Sequence, residues 1–221
     1  MRVSTPESQS MEDWGGDGWI DVSRPLNPDT PVWPGDRGFS LEQRSFGDIL
    51  VSAVHSTCHI GTHVDAPLHL EPSGIAVHEI PLGRLIGPAE VVRLPKDCEL
   101  AVPADLPLGW NPRFPKVLLK TDSHPLNRPI ENEFTAVSPE LVHWFSDHGV
   151  LTVGIDTPSF DRFSSTGLES HNAMADHGMT WVEGLHLNGV EAGYYLFLAL
   201  PMPLFGIEAA PVRALVKRLA E

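Results

Sequence analysis

The sequence predicts an α/β fold, rich in strands and loops and built as a single domain. Three observations predict it. Short β-branched runs recur along the chain, most of them bounded by Pro, Gly or Asp. One segment, Ser138 to Gly149, carries a full set of helix signals. The length of 221 residues and apolar content of 42% suit one core, and no repeat or low-complexity tract interrupts it.

The elements follow in order. Residues 1–16 are polar and acidic and read as a flexible N-terminal tail, leaving 17–221 as the domain. Trp19 to Ser23 is a short strand pattern. Arg24 to Asp36 holds four prolines, which forbid a helix and stiffen an extended loop around its one large side chain, Trp33. Residues 49–58, 89–94 and 117–121 are strand candidates. In 138–149, Ser138 suits the cap, Pro139 the first turn and Gly149 the stop, with Leu141, Val142, Trp144 and Phe145 as the apolar stripe. Val150 to Ile155 follows as a buried strand. Ser170 to His177 reads as a second short helix, capped by Ser170 and stopped by Gly178. Thr180 to Glu183 and Tyr194 to Leu200 look like strands, and Pro211 to Leu219 fits helix or strand equally.

Charge and cysteine content narrow the function. With 29 acidic against 15 basic residues, the net charge of −14 repels phosphate backbones and argues against a nucleic-acid partner. Cys58 and Cys98 do not make a disulfide framework. The N-terminus lacks the basic and apolar segments of a signal peptide, and the most apolar stretch, Tyr194 to Leu200, is too short to span a bilayer. The expectation is a cytoplasmic protein with no membrane contact and a small-molecule substrate.

The chemistry concentrates in His59-Ile-Gly-Thr-His-Val-Asp-Ala-Pro-Leu-His69. Gly61 and Pro67 argue against a helix there. In an extended path, His59, His63, Asp65 and His69 share parity and converge on one side. Gly61 has no side chain, so its backbone can approach an ion. Imidazoles with a carboxylate and no thiolate suit Zn, Mn, Fe or Ni. A second polar set, Glu169 to Glu183, offers His171, Asp176, His177 and Glu183, and spacing alone does not choose among them.

The run His59-x-Gly-Thr-His63-x-Asp65-x-Pro67 resembles the hallmark of the metal-dependent cyclase/hydrolase superfamily, which includes the bacterial kynurenine formamidases. Trp19 to Ser23 and Pro31-Val-Trp-Pro-Gly-Asp36 resemble the opening of those formamidases. Gly154-Ile-Asp-Thr-Pro-Ser159 resembles their central strand and turn. Glu183-Gly184, Leu198 to Pro201 and Ala210 to Ala214 resemble their closing segments. The resemblance implies a β/β/α swivelling-domain fold, usually a homodimer or homotetramer. It implies two metal ions, Zn2+ or Mn2+, held by His59, His63, Asp65, His171 and Glu183, with His69 shuttling protons. A helix beginning at Ser170 would turn Asp176 and His177 about 140° and 240° away from His171, in keeping with that set.

The activity so implied is hydrolysis of an aryl formamide such as N-formylkynurenine, with Trp33 covering the aromatic ring. Arg162 and Thr166 stand where the formamidases carry proline and lysine. Asn172 stands where a second histidine is common, and 122–134 diverges. These positions leave a cyclic amide or lactone as the alternative substrate. A metal-binding protein without catalysis is a third reading, against which His69 stands beside the ligand set.

Overall fold

The computed structural model describes residues 18–131 and 133–220, so the tail expected over 1–16 lies outside the described residues. The strands are β1 (Trp19–Asp21), β2 (Ser40–Phe46), β3 (Ile49–His55), β4 (His63–Asp65), β5 (Ile86–Arg93), β6 (Leu100–Ala101), β7 (Lys116–Lys120), β8 (Ala136–Val137), β9 (Thr152–Ile155), β10 (Thr180–Glu183), β11 (Gly193–Pro201) and β12 (Ala209–Arg218). The α-helices are α1 (Pro139–Asp147) and α2 (Glu169–Asp176).

The main sheet runs β1-β12-β11-β5-β7-β9-β10-β4, and β4 pairs back onto β12. One edge of β12 serves two partners: Ala209–Pro211 take β4 and Leu215–Lys217 take β1. Seven strands therefore close into a barrel, which removes the free sheet edge. The β5, β7, β9 and β10 neighbours are parallel and the others antiparallel.

Side-chain alternation then divides two cores. Val64, Leu118, Val182, Phe197, Ala210 and Val216 pack together inside the barrel. There β9 contributes Gly154, where a Cβ would meet Leu118 and Leu185 at 2.7 Å, so the narrow interior excludes a side chain. The alternate residues Val117, Leu119, Val153, Ile155 and Trp181 pack outward against Leu141 and Phe145 of α1 and Met174 of α2. His63 and Asp65 flank the inward Val64, and Glu183 follows the inward Val182. All three therefore leave the barrel on its outer face.

Helix α1 begins as its sequence signals require. Ser138 Oγ accepts the Leu141 N–H at 3.2 Å, and Gly149 stops the helix at φ +76°. Helix α2 does not. It starts at Glu169 behind Leu168, which takes a left-handed φ of +48°. Ser170 lies inside the helix, and its hydroxyl donates to the Val137 carbonyl at 2.5 Å. The capping role expected of Ser170 falls instead to Asp161, whose carboxylate accepts the Ser170 and His171 N–H groups at 2.9 and 3.1 Å.

Other boundaries are corrected by tertiary context. The strand expected over 49–58 stops at His55 and pairs with β2, which the polar run Ser40 to Phe46 did not announce. Every residue of this hairpin is exposed. Pro211 to Leu219, ambiguous in sequence, falls almost wholly within β12, since barrel closure requires a strand there. The single extended path imagined for 59–69 holds only for His63–Asp65. His59 precedes a left-handed turn at Gly61 (φ +59°), and His69 ends a 3-10 turn, Pro67–His69.

Candidate metal centre

Strands β4 and β10 pair antiparallel with His63 opposite Glu183 and Asp65 opposite Trp181. Cross-strand partners share a face, so the three polar groups meet over the same patch of barrel wall. His63 Nε2 lies 3.3 Å from Glu183 Oε2 and 3.4 Å from Asp65 Oδ1. The turn through Gly61 brings His59 Nδ1 to 3.1 Å from the same Asp65 oxygen. From α2, His171 Nε2 comes to 3.0 Å from Glu183 Oε1. His69 lies beside His59 with ring centroids 4.4 Å apart. Two groups of donor atoms result, each within 4.8 Å: His59–Asp65–His69 and His63–Asp65–Glu183. Asp65 belongs to both.

Surrounding groups fix these side chains. The Trp181 indole N–H donates to Asp65 Oδ2 at 3.0 Å, which aims Oδ1 at the histidines. The Phe160 N–H donates to Glu183 Oε1 at 2.9 Å. Asp161 Oδ2 accepts from His171 Nδ1 at 2.6 Å, which turns Nε2 toward Glu183. Glu208, just before β12, approaches His59 Nε2 to 3.4 Å.

The electrostatics suit a cation. Burial opposes charging His171, yet Glu183 and the hydrogen bond to Asp161 outweigh it and lift its pKa to about 10. Burial likewise opposes charging His59, and Asp65, Glu183 and Glu208 lift it to about 9. Burial opposes charging Asp65 and Glu183 too, but the facing histidines hold both carboxyls below their ordinary values. The carboxylates that favour protonation of these two rings would attract a divalent cation in the same way. Two atoms make the fit specific: His63 Nε2 and Asp65 Oδ1 are buried with no hydrogen-bond partner. Buried polar atoms left so are costly, and a metal ion is a partner both can accept.

The structure brings His59, His63, Asp65, His69, His171 and Glu183 together on the floor of one cavity of about 580 Å³. Trp33 forms part of its wall, with its ring 5.1 Å from that of Phe163. Asp176 and His177 stay outside: Asp176 is exposed, and His177 faces His143 across 2.7 Å. Sequence reasoning missed Asp161 and Glu208. No local rule joins Asp161 to a histidine ten residues on, and Glu208 reaches the cavity only because the barrel closes. Gly61 takes a left-handed φ of +59°, and a Cβ there would meet Leu26 at 2.5 Å.

The family model described as "Putative cyclase" matches residues 20–162, well over half of the chain. The chain belongs to the cyclase family. Solved structures agree with this cyclase assignment. A "predicted metal-dependent hydrolase" from Bacillus stearothermophilus is similar at 29% identity and a TM-score of 0.77, over 90% of this chain and 97% of that one. A "potential metal-dependent hydrolase with cyclase activity" is similar at 28% identity and a TM-score of 0.75, with the same coverage of each chain. Isatin hydrolase A from Labrenzia aggregata, bound to benzyl benzoate, shares the fold at 21% identity and a TM-score of 0.76, over 91% and 94%. The matched family region contains the whole 59–69 segment; His171 and Glu183 join it through α2 and β10.

Proposed function

We propose that this cyclase-family chain is a metal-dependent hydrolase that opens a small cyclic amide of the isatin type. The observation that carries the reading is Asp65, shared between two donor groups in the lining of a cavity that Trp33 also lines. Its volume of about 580 Å³ suits a small molecule. The isatin hydrolases of like fold favour a cyclic amide over the aryl formamide expected from sequence.

His59, His63, Asp65, His171 and Glu183 would hold the metal, Zn2+ or Mn2+, with Asp65 placed to serve two ions. When bound, such an ion lowers the pKa of water to ~7 and polarises a carbonyl. The protein's own groups supply the rest. His69 is half-buried, and burial together with His59 and His171, against the pull of Asp65, keeps its pKa below the ordinary value. At neutral pH its ring is therefore a base. It takes the proton of the attacking water and returns it to the ring nitrogen as the C–N bond breaks. The amine and the new carboxylate remain in one molecule. Trp33, with Phe163 against its ring, would cover the flat ring.

N-formylkynurenine is the second reading, favoured by the segments at 19–23 and 31–36. Of the departures, Thr166 lines the cavity. Arg162 reaches out toward Glu99 instead, and Asn172 donates to the Gly167 and Leu168 carbonyls. A homodimer or homotetramer belongs to the same reading, since the exposed β2–β3 hairpin presents Phe46, Ile49, Leu50 and Val54. So does a cytoplasmic location, which the free thiols Cys58 and Cys98 suit. No helix among the described residues is long and apolar enough to cross a membrane.

The test is a panel of isatin-like lactams, lactones and N-formylkynurenine, with metal content measured on the same preparation. Fastest turnover of the lactam is the expected result. Preference for N-formylkynurenine would establish the second reading, and a metal-loaded protein inert toward all three would sink both.

A further inference from the structure

The β4–β10 ladder ends at the pair His63 and Glu183, which are two of the proposed ligands. Beyond it the backbone groups part company. The Thr62 carbonyl accepts from Val212 at 2.9 Å, and the Gly184 N–H donates to Thr157 at 2.8 Å. Side chains close the gap. The Thr62 hydroxyl donates to the Gly184 carbonyl at 2.6 Å and accepts the Arg24 N–H at 2.8 Å. Arg24 Nε donates to the same Gly184 carbonyl at 3.0 Å. Its Nη2 donates to the carbonyls of His124 and Asp156 at 2.7 and 2.6 Å. Among the described residues no carboxylate lies within ion-pair distance of this guanidinium, so it is spent on main-chain carbonyls. The two segments also touch directly, since a Cβ on Gly184 would collide with the Gly61 carbonyl oxygen.

We infer that Thr62 and Arg24 are positioning residues: by clamping Gly184 they set how His63 and Glu183 face each other. The inference rests on the metal reading above. In an unclamped ladder end the strands fray, and two ligands one residue away lose their common aim. The hydroxyl is the part that matters, because it replaces a ladder hydrogen bond and organises Arg24 at once.

The test measures Zn2+ affinity by competition with a chromogenic chelator, and the visible spectrum of the Co2+-loaded protein. Thr62→Val removes the hydroxyl at nearly constant shape, Thr62→Ser keeps it, and Ser138→Ala loses the cap of α1 without touching a donor residue. Thr62→Val should weaken Zn2+ binding ~10–100-fold, the range for lost ligand support, and alter the Co2+ spectrum. Thr62→Ser and Ser138→Ala should match the parent in both. Parent-like affinity and spectrum in Thr62→Val would overturn the inference, as would equal losses in Ser138→Ala. Arg24→Met, read in the same way, decides the matter if Thr62→Val does not fold. A parent that binds no Zn2+ would overturn the metal reading itself, and this inference with it.

Discussion

At Asp65 one carboxylate oxygen takes the Trp181 indole N–H, which leaves the other, without a hydrogen-bond partner, facing His59 and His63. His69 is less constrained. It sits close enough to His59 and Asp65 to act as a ligand, and it lines the cavity as a proton carrier would. Replacing it separates the two roles. His69→Ala should keep most of its metal and lose ~10²–10⁴-fold in rate, the usual worth of an acid–base group; metal loss would make it a ligand. Glu183 and His177 give a sharper contrast. Glu183 is buried between His63 and His171, whereas His177 is exposed against His143. Glu183→Gln should lose activity and at least one metal ion, and His177→Ala should stay near the parent in both; the reverse pattern would refute the assignment. The 59–69 grouping was legible in the sequence because its members lie close together along the chain, and the structure brings them to one cavity. Asp161 was not, because its partner His171 arrives from a helix whose start the sequence misplaced.

That helix start is the feature to probe at the level of elements. Asp161 does two things with one carboxylate, capping the first N–H groups of α2 and orienting the His171 ring. Burial would raise its pKa, but the His171 hydrogen bond and the Ser170 N–H hold it below the ordinary value. Asp161→Ala should destabilise the fold by about 1 kcal/mol as a lost cap, and weaken metal binding ~10–100-fold as a lost orienting group. Thermal unfolding and metal titration read the two effects apart; unchanged affinity would show that His171 needs no such support. Legibility at this scale followed local chemistry. Ser138, Pro139 and Gly149 announce α1 because capping is a short-range event. The β2 strand is polar and half of a fully exposed hairpin, so neither period nor burial marked it. The extent of β12 depends on strands far away in sequence, which no window around Pro211 contains.

Closure of the barrel governs the whole molecule: it narrows the interior to small side chains at Gly154, Ala199, Ala210 and Ala214, and turns the polar residues of β4 and β10 outward beneath α2. A mixed α/β class was readable from the mixture of strand and helix patterns, while closure itself was not, since it is a pairing of β4 with the far end of the chain. The same architecture leaves the β2–β3 hairpin standing free with Phe46 and Ile49 each about two-thirds exposed. An isolated two-stranded ribbon is marginal in water. Charging its tip with Phe46→Glu and Ile49→Glu should reduce a dimer or tetramer to monomers by native mass measurement, and a parent already monomeric would dismiss that role. The central claim concerns the metal and is tested most directly by counting it. Metal per chain, measured by elemental analysis after exhaustive dialysis and reloading with Zn2+ or Mn2+, should be close to two for the parent. It should fall toward zero in Asp65→Ala, whose carboxylate both donor groups share, together with loss of lactam hydrolysis. Undiminished metal in Asp65→Ala would contradict the account.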